Sequence, residues 1–131
     1  MYLDVLNVAM NNKMKLYKAY KLWRQYVTLK YSGKCAVCSK TSTKINCHHL
    51  ISRQIGALYL HPCNGILLCP YCHKWSPYCS PHEAPLAFIE FLIINHPDSY
   101  EFWRLNHAKY KKSKPRHINM YAKILENLIG I

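Results

Sequence analysis

Apolar side chains recur every three or four residues along the first part of the chain, and this spacing predicts one amphipathic helix that ends near Lys30. Cationic side chains fill the positions between them, so the helix has a basic face. The dipeptide Ser32-Gly33 is expected to end the helix. The apolar side should pack on the protein, and the basic side can contact phosphates. The apolar positions are Met14, Leu16, Tyr17, Tyr20, Trp23, Tyr26 and Val27, and the cationic ones are Lys13, Lys15, Lys18, Lys21 and Arg24.

The last third of the chain has helical periodicity in three separate stretches. Residues 83–95 are mostly apolar and long enough for a largely buried helix. A Pro-Asp-Ser motif at 97–99 can cap a second helix that extends through about Tyr110. A basic linker over 109–117, interrupted by a proline, leads to a final amphipathic helix over 118–129.

The middle of the chain has shorter and less regular elements. Residues 34–46 indicate a tight turn and a short strand, and residues 50–64 are irregular. A wholly apolar strand is predicted over 65–68, after which Pro70 opens a turn and the start of a helix. Together with the helices on both sides, these elements predict an α+β fold.

The chain length suits a single compact domain. We interpret residues 1–131 as one unit, in which a basic helix over 1–31 precedes a cysteine-rich core over 32–80 and a helical extension over 81–131. Half of the residues are apolar, but at this length a hydrophobic core gives a thin margin of stability. A covalent or metal staple is therefore expected.

Charge changes the picture from a small helical domain to a candidate nucleic-acid protein. The formal net charge is +12, from 18 Lys and Arg against 6 Asp and Glu. No carboxylate occurs between Val5 and His82, while cationic residues occur throughout. Such a surface attracts polyanions, so nucleic acid is the expected partner. A basic protein associated with ribosomes is the plainer alternative.

Hydropathy gives no indication of a membrane protein. No stretch reaches the roughly 18 consecutive apolar residues that span a bilayer. The N-terminus lacks a charged segment followed by a long apolar run, so we expect no signal peptide and a protein that stays in the cytoplasm where it is made.

Two Cys-x-x-Cys motifs, Cys35 with Cys38 and Cys69 with Cys72, predict a structural zinc site. Two residues between thiolates let both sulfurs face one ion, and four thiolates complete a closed tetrahedral site. The chain has seven cysteines, and an odd number in a reducing compartment favours metal ligation over disulfides. Free core cysteines and redox pairs are the alternatives. Zinc binding would offset the thin core.

The segment between the cysteine motifs contains a second set of polar residues. His48 and His49 are adjacent, Asn64 precedes the apolar strand, and His73 directly follows the last zinc cysteine. Phosphodiester hydrolysis needs a base for water and a metal ion at the phosphate. With no carboxylate nearby, imidazoles are the remaining good ligands. Adjacent strand residues face opposite sides, so one metal-facing and one substrate-facing histidine are expected, with Asn64 able to accept the ring N–H of the base.

These residues resemble the HNH, or ββα-metal, endonuclease family, over residues 34–75. The segment Cys47-His48-His49-Leu50-Ile51-Ser52-Arg53 resembles its first strand and loop, Asn64-Gly65-Ile66-Leu67-Leu68-Cys69 its asparagine and second strand, and Cys69-Pro70-Tyr71-Cys72-His73 the knuckle that opens its metal-binding helix. The flanking helices are similar to phage versions of the NinG recombination type. The resemblance implies a zinc-stapled ββα-metal core flanked by N-terminal and C-terminal helices, in a phage enzyme of DNA processing or recombination.

The resemblance also implies roles for single residues. His49 is the general base, His48 and His73 hold one catalytic divalent ion (Mg²⁺, Mn²⁺, Ni²⁺ or Zn²⁺), and Asn64 orients the base or its loop. His48 stands where relatives often have aspartate. The family allows a further histidine beyond the helix, so His82 is a minor candidate.

Several cations are expected to contact DNA. Arg53 can clamp a phosphate, and the basic linker can hold the backbone without reading sequence. The candidates are Arg53, Lys74, Lys109, Lys111, Lys112, Lys114 and Arg116. A solvated tail is the alternative for the linker.

Two other functions remain open from the sequence. One is a zinc-containing DNA-binding module without catalysis, which would form the zinc site without convergence of the histidines. The other is a domain with two structural zinc ions, in which Cys47, Cys63 or Cys79 completes the second site. The sequence does not determine the DNA structure cut or whether the protein is a monomer or a dimer.

Overall fold

The computed structural model describes residues 2–112 and 115–131, with side chains from residue 11 onward. It has a small α+β fold, as predicted, with a two-stranded sheet and several helices. The regular elements are α1 (Tyr2–Lys30), β1 (Asn46–His49), a 3₁₀ turn (Gly56–Leu58), β2 (Gly65–Leu68), a π-helical turn (Tyr71–Trp75), α2 (Pro85–Asn95), α3 (Pro97–Asn106) and α4 (Ile118–Ile129).

Helix α1 forms one wall of the core through residues spaced four apart. Ala19, Trp23 and Val27 are almost fully buried, because this spacing places them on one face of the helix. The cationic positions between them are exposed. The helix ends where Ser32 and Gly33 adopt left-handed backbone conformations, with φ of 56° and 71°.

The sheet separates two hydrophobic clusters. β1 and β2 are antiparallel, with His48 opposite Ile66 and His49 opposite Gly65. Leu67 of β2 packs with α1 and α4, whereas Ile66 and Leu68 pack with α2 and the cysteine motifs. Because strand residues alternate in direction, the two adjacent histidines of β1 lie against different clusters.

Several predicted boundaries were correct and three were not. Helix α2 begins at Pro85 and not at residue 83, and only Phe88 and Leu92 of it are buried, so it is not the largely buried helix that was predicted. The final helix and the second strand have their predicted limits. The strand expected within residues 34–46 was placed too early, because turns around the first cysteine motif occupy most of that segment and the ladder begins only at Asn46. Helix α3 ends at Asn106, before the predicted Tyr110.

None of the helices in the described part of the chain is both long enough and apolar enough to cross a membrane.

Candidate functional site

The two cysteine motifs meet as predicted. The sulfurs of Cys35, Cys38, Cys69 and Cys72, here called the cysteine cluster, all lie within 4.8 Å of one another. The Cys38 and Cys69 sulfurs are 3.7 Å apart, whereas a disulfide has a bond of about 2 Å. A tetrahedral zinc ion with bonds of about 2.3 Å places its sulfur ligands about 3.8 Å apart. The cluster can therefore hold a structural metal ion, consistent with zinc.

The surrounding backbone favours the thiolate of one cysteine of the cluster, Cys35, whereas burial raises the pKa of Cys38 and Cys72. Burial disfavours charge on the Cys35 thiol, but backbone N–H groups of Cys38, Cys69 and Val37 point at its sulfur and lower its pKa to about 7. The Ala36 N–H also donates to the Leu67 carbonyl at 2.8 Å, which ties the first knuckle to β2.

Three histidines form a second group of possible metal ligands. His48, His73 and His82, here called the histidine cluster, place one ring nitrogen each within 4.8 Å of the others. The Nε2 atom of His73 lies 3.1 Å from His48 Nδ1 and 3.2 Å from His82 Nε2. Ligands that share one ion through bonds of about 2.1 Å are separated by about 3.0–3.4 Å. These two separations fall within that range, and the three histidines are a group that could hold a metal ion.

Hydrogen bonding alone does not account for this arrangement. A ring nitrogen carries either one proton or one lone pair, so His73 Nε2 can make a linear hydrogen bond to only one of its two neighbours at a time. A cation would accept the lone pairs of all three rings. Burial, with a smaller contribution from the neighbouring imidazoles, lowers the pKa of His48 to about 3. Burial is also the main cause that lowers the pKa of His73, and His82 and Lys74 add to it. Both rings are neutral at pH 7, which is the form that binds metals.

The cysteine cluster and the histidine cluster are joined through adjacent residues of the chain. His73 directly follows Cys72, and its backbone N–H donates to the Cys69 carbonyl at 2.9 Å. The π-helical turn that carries His73 is therefore fixed at its start by two residues of the cysteine cluster. His82 comes from the loop before α2 and His48 from β1, so three separate elements meet at the histidine cluster.

His49 takes a different position from His48, as the strand alternation predicted. Its ring is stacked between Trp23 of α1, with centroids 4.2 Å apart, and Tyr59, with centroids 5.0 Å apart. Only 9% of the residue is exposed. The two aromatic rings hold the plane of the imidazole and leave its edges for hydrogen bonding.

The hydrogen bond of His49 defines which nitrogen carries the proton. Nε2 lies 2.9 Å from the Tyr59 carbonyl oxygen, which can only accept, so Nε2 is the protonated nitrogen. Nδ1 then has a free lone pair. Among the described residues, every fully buried side-chain nitrogen or oxygen has a hydrogen-bond partner. Nδ1 of His49 has no such partner among them, so this atom is not fully buried and is in contact with solvent.

Electrostatics keep the His49 ring neutral. The pKa of His49 is lowered to about 4, and burial is the largest cause. The nearby Arg53 charge also lowers the pKa, whereas the hydrogen bond to the Tyr59 carbonyl raises it. At neutral pH, His49 thus presents an unprotonated Nδ1.

Asn64 was expected to orient either His49 or the loop beside it, and its hydrogen bonds are to the loop. Its side-chain oxygen accepts from the Ile51 N–H at 2.6 Å, and its amide donates to the carbonyls of Ile51 and Leu58. The expected hydrogen bond to His49 is absent from the structure, because the Tyr59 carbonyl occupies that position. Asn64 therefore fixes the loop that delivers Tyr59 to His49.

A cavity of about 550 Å³ joins His49 to the histidine cluster. Its described lining residues include the cations Arg53 and Lys74 and no carboxylate. The other lining residues are Tyr20, Asn46, Cys47, His48, Ser52, Gln54, His73 and His82.

The cations predicted on the linker lie outside this cavity or outside the described residues. Lys111 and Lys112 are exposed and do not line the cavity, and Lys114 is not among the described residues. Arg116 does not line the cavity either, but its guanidinium lies 5.1 Å from the centre of the Tyr59 ring.

The other cysteines do not complete a second cysteine-containing metal site among the described residues. Cys47 is buried near Thr28 and the Arg24 carbonyl, Cys63 is exposed, and Cys79 lies beside Ser76. The alternative in which Cys47, Cys63 or Cys79 binds a second zinc is therefore wrong for this structure.

Two contributions to the site were not expected from the sequence, and a third was expected only as a minor one. Trp23 was interpreted only as a packing residue of the first helix, and Tyr59 lies in a segment with no periodic pattern. His82 was a minor candidate but stands as close to His73 as His48 does. The lack of carboxylates in this part of the chain was the available signal for a third imidazole ligand.

Gly65 allows α1 to approach β2 closely at the position opposite His49. A Cβ atom at Gly65, opposite His49 in the ladder, would lie 2.5 Å from Val27 Cγ2 and 2.8 Å from Trp23 Cζ2. We expect Gly65→Ala to lower the free energy of unfolding by about 1–3 kcal/mol, because both buried side chains must shift. Denaturant unfolding measures the change.

A double-mutant cycle controls for the general cost of altering the strand. Val27→Ala removes the closer of the two contacts, so Gly65→Ala should cost less in that background than in the natural protein. Equal costs in both backgrounds would mean that the close approach is not what constrains Gly65.

No protein-family model matches the chain, and neither a curated protein nor a solved structure matches it significantly.

Proposed function

We propose that this protein is a metal-dependent DNA endonuclease with a zinc-stapled core of the HNH, or ββα-metal, type. The observation that carries the proposal is the cavity in which His49, with a free Nδ1, adjoins three imidazoles whose nitrogens lie 3.1 and 3.2 Å apart. A base beside an open cation site is the arrangement that phosphodiester hydrolysis requires. The antiparallel strand pair followed by the short turn that carries His73 supports the ββα assignment.

In this proposal His49 removes a proton from the attacking water. Its Nδ1 atom accepts the proton, and the Tyr59 carbonyl, which already accepts from Nε2, stabilises the imidazolium that forms. Trp23 and Tyr59 keep the ring in one plane, and His49 lines the cavity in which the attacking water would be activated. The pKa of about 4 ensures that the base is unprotonated at neutral pH.

His48, His73 and His82 would hold the catalytic divalent ion, which when bound would polarise the scissile phosphate and stabilise the leaving oxygen. Three neutral ligands leave the charge of such an ion uncompensated, and this favours an anionic substrate. Arg53 and Lys74 line the same cavity and add positive charge at its edge. In the proposed complex they would hold phosphate oxygens beside the reacting one.

The rest of the surface suits a polyanion. The net charge is +12, and the cationic side chains of α1 from Lys13 to Arg24 are exposed. Lys111 and Lys112 are exposed on the linker, where they would neutralise backbone phosphates without reading sequence. We place the activity in phage DNA processing or recombination, following the family resemblance.

A plasmid assay tests the proposal. Zinc-loaded protein is incubated with supercoiled DNA alone and with Mg²⁺, Mn²⁺, Ni²⁺ or additional Zn²⁺. We expect nicked or linear product with at least one of these ions and much less without any addition. A folded, zinc-loaded protein that binds the plasmid and leaves it intact with every ion would favour the non-catalytic DNA-binding module instead.

Removal of one proposed ligand should weaken binding of the catalytic ion. We expect His82→Ala to raise the metal concentration for half-maximal cleavage by about tenfold or more, because even the outer partners of metal ligands contribute 10–100-fold to affinity. His82 is exposed, so its loss should cost little stability.

Glu83→Ala is the matched control for His82→Ala, since it truncates the neighbouring exposed side chain of the same loop. It should leave the metal dependence unchanged. If His82→Ala also leaves it unchanged, the ion is held without His82.

A further inference from the structure

A second cavity borders the histidine cluster. Its volume is about 220 Å³, less than half that of the first, and it opens on the side of His48 and His82 that faces α2 and α3. Neither a cationic nor an acidic residue is among its described lining residues. Besides the two histidines, these are Leu50, Pro81, Pro85, Phe88, Ile89 and Trp103.

The shared histidines link the two cavities. His48 and His82 contribute to the lining of both, so a group in the smaller cavity lies next to a phosphate held at the histidine cluster. In a polynucleotide, the groups next to a phosphate are nucleosides. An uncharged wall does not suit a second phosphate, but it suits the face of a base.

The walls of this pocket are built to stay in place. Trp103 supplies the largest aromatic surface, and it packs on the buried cluster of Ile51, Ile55 and Leu58. On another side, Phe88 is 3% exposed, and its ring is perpendicular to that of His48, with centroids 6.2 Å apart. A rigid aromatic pocket of this kind binds bases by stacking, largely independently of their sequence.

We infer that this pocket receives one nucleobase next to the scissile phosphate and that the substrate is therefore single-stranded or locally unpaired DNA. The inference rests on the proposed nuclease function. A base within an intact duplex is stacked on its neighbours and must be unstacked and unpaired before it can enter a side pocket. Loops, flaps and junctions supply such a base without this step.

Binding tests the pocket separately from cleavage. The probes are an eight-residue oligothymidylate and an abasic oligomer of equal length and charge, titrated by fluorescence anisotropy into zinc-loaded protein without added ions. Gel analysis after each titration checks that the oligomers are intact. The natural protein should bind the base-bearing oligomer about five- to a hundredfold more tightly, the range that stacking of a base provides.

Two variants assign that preference to the pocket. Ile89→Trp fills the pocket and leaves Trp103 in place, whereas Ile94→Trp adds the same side chain to an exposed position of the same helix. We expect the preference for bases to fall at least fivefold in Ile89→Trp and to persist in Ile94→Trp. An equal preference in all three proteins, or none in the natural protein, would overturn the pocket assignment.

A cleavage assay then tests the substrate class. A duplex with a central unpaired bubble should be cut faster than the fully paired duplex of the same flanking sequence, and Ile89→Trp should lose this difference. If both duplexes are cut equally by the natural protein, the inference fails while the nuclease function stands. If neither these duplexes nor single strands are cut with any ion, the nuclease function itself fails, and the binding result still decides whether the pocket takes a base.

Discussion

His49→Ala is expected to reduce DNA cleavage by about 10²- to 10⁴-fold, the range that a positioned general base contributes. The variant removes the imidazole whose Nε2 donates to the Tyr59 carbonyl and whose Nδ1 is the proposed proton acceptor. Metal binding should persist, because His48, His73 and His82 are unchanged. Initial rates of plasmid nicking at saturating metal measure the loss.

A matched control separates catalysis from packing. The His61 ring, like that of His49, lies against two aromatic rings, Phe102 at 4.7 Å and Tyr121 at 5.8 Å, but it is outside the cavity. His61→Ala should lower the melting temperature while largely retaining cleavage by the folded protein. If the two variants lose activity in proportion to their loss of stability, His49 is a packing residue and not the base.

The periodic parts of this fold could be predicted from the sequence. Helix α4 was predicted to the residue, because its apolar positions recur at helical spacing over a full stretch and Gly130 adopts the left-handed conformation that ends it. The start of β1 could not be predicted in the same way. Turns around Cys35 and pairing with β2 determine where that ladder begins, and both are tertiary effects.

The candidate site shows the same division. Residue type and spacing identified the cysteine cluster, and strand alternation identified the different directions of His48 and His49. The hydrogen-bond partner of His49 is a backbone carbonyl. Every residue carries such a carbonyl, so no pattern of side chains could indicate Tyr59 as the partner. His82 reaches the site only through the path of the loop before α2.

Cys72→Ser is expected to abolish stable folding. A structural zinc site contributes about 10–16 kcal/mol in small zinc domains, whereas a whole domain is stable by about 5–15 kcal/mol. Loss of one thiolate opens the closed ligand set of Cys35, Cys38 and Cys69, so most of the zinc contribution should disappear. We expect a protein without bound zinc and without a cooperative thermal transition, measured by native mass spectrometry and circular dichroism.

Cys63→Ser provides the comparison, because Cys63 is exposed and lies outside the cysteine cluster. It should keep one tightly bound zinc ion and the melting temperature of the natural protein. Since His73 directly follows Cys72, the folding defect of Cys72→Ser should also remove nuclease activity at every concentration of the catalytic ion, unlike His82→Ala, in which excess ion restores activity. A Cys72→Ser protein that retains zinc and melts normally would show that the four thiols do not form the staple of this fold.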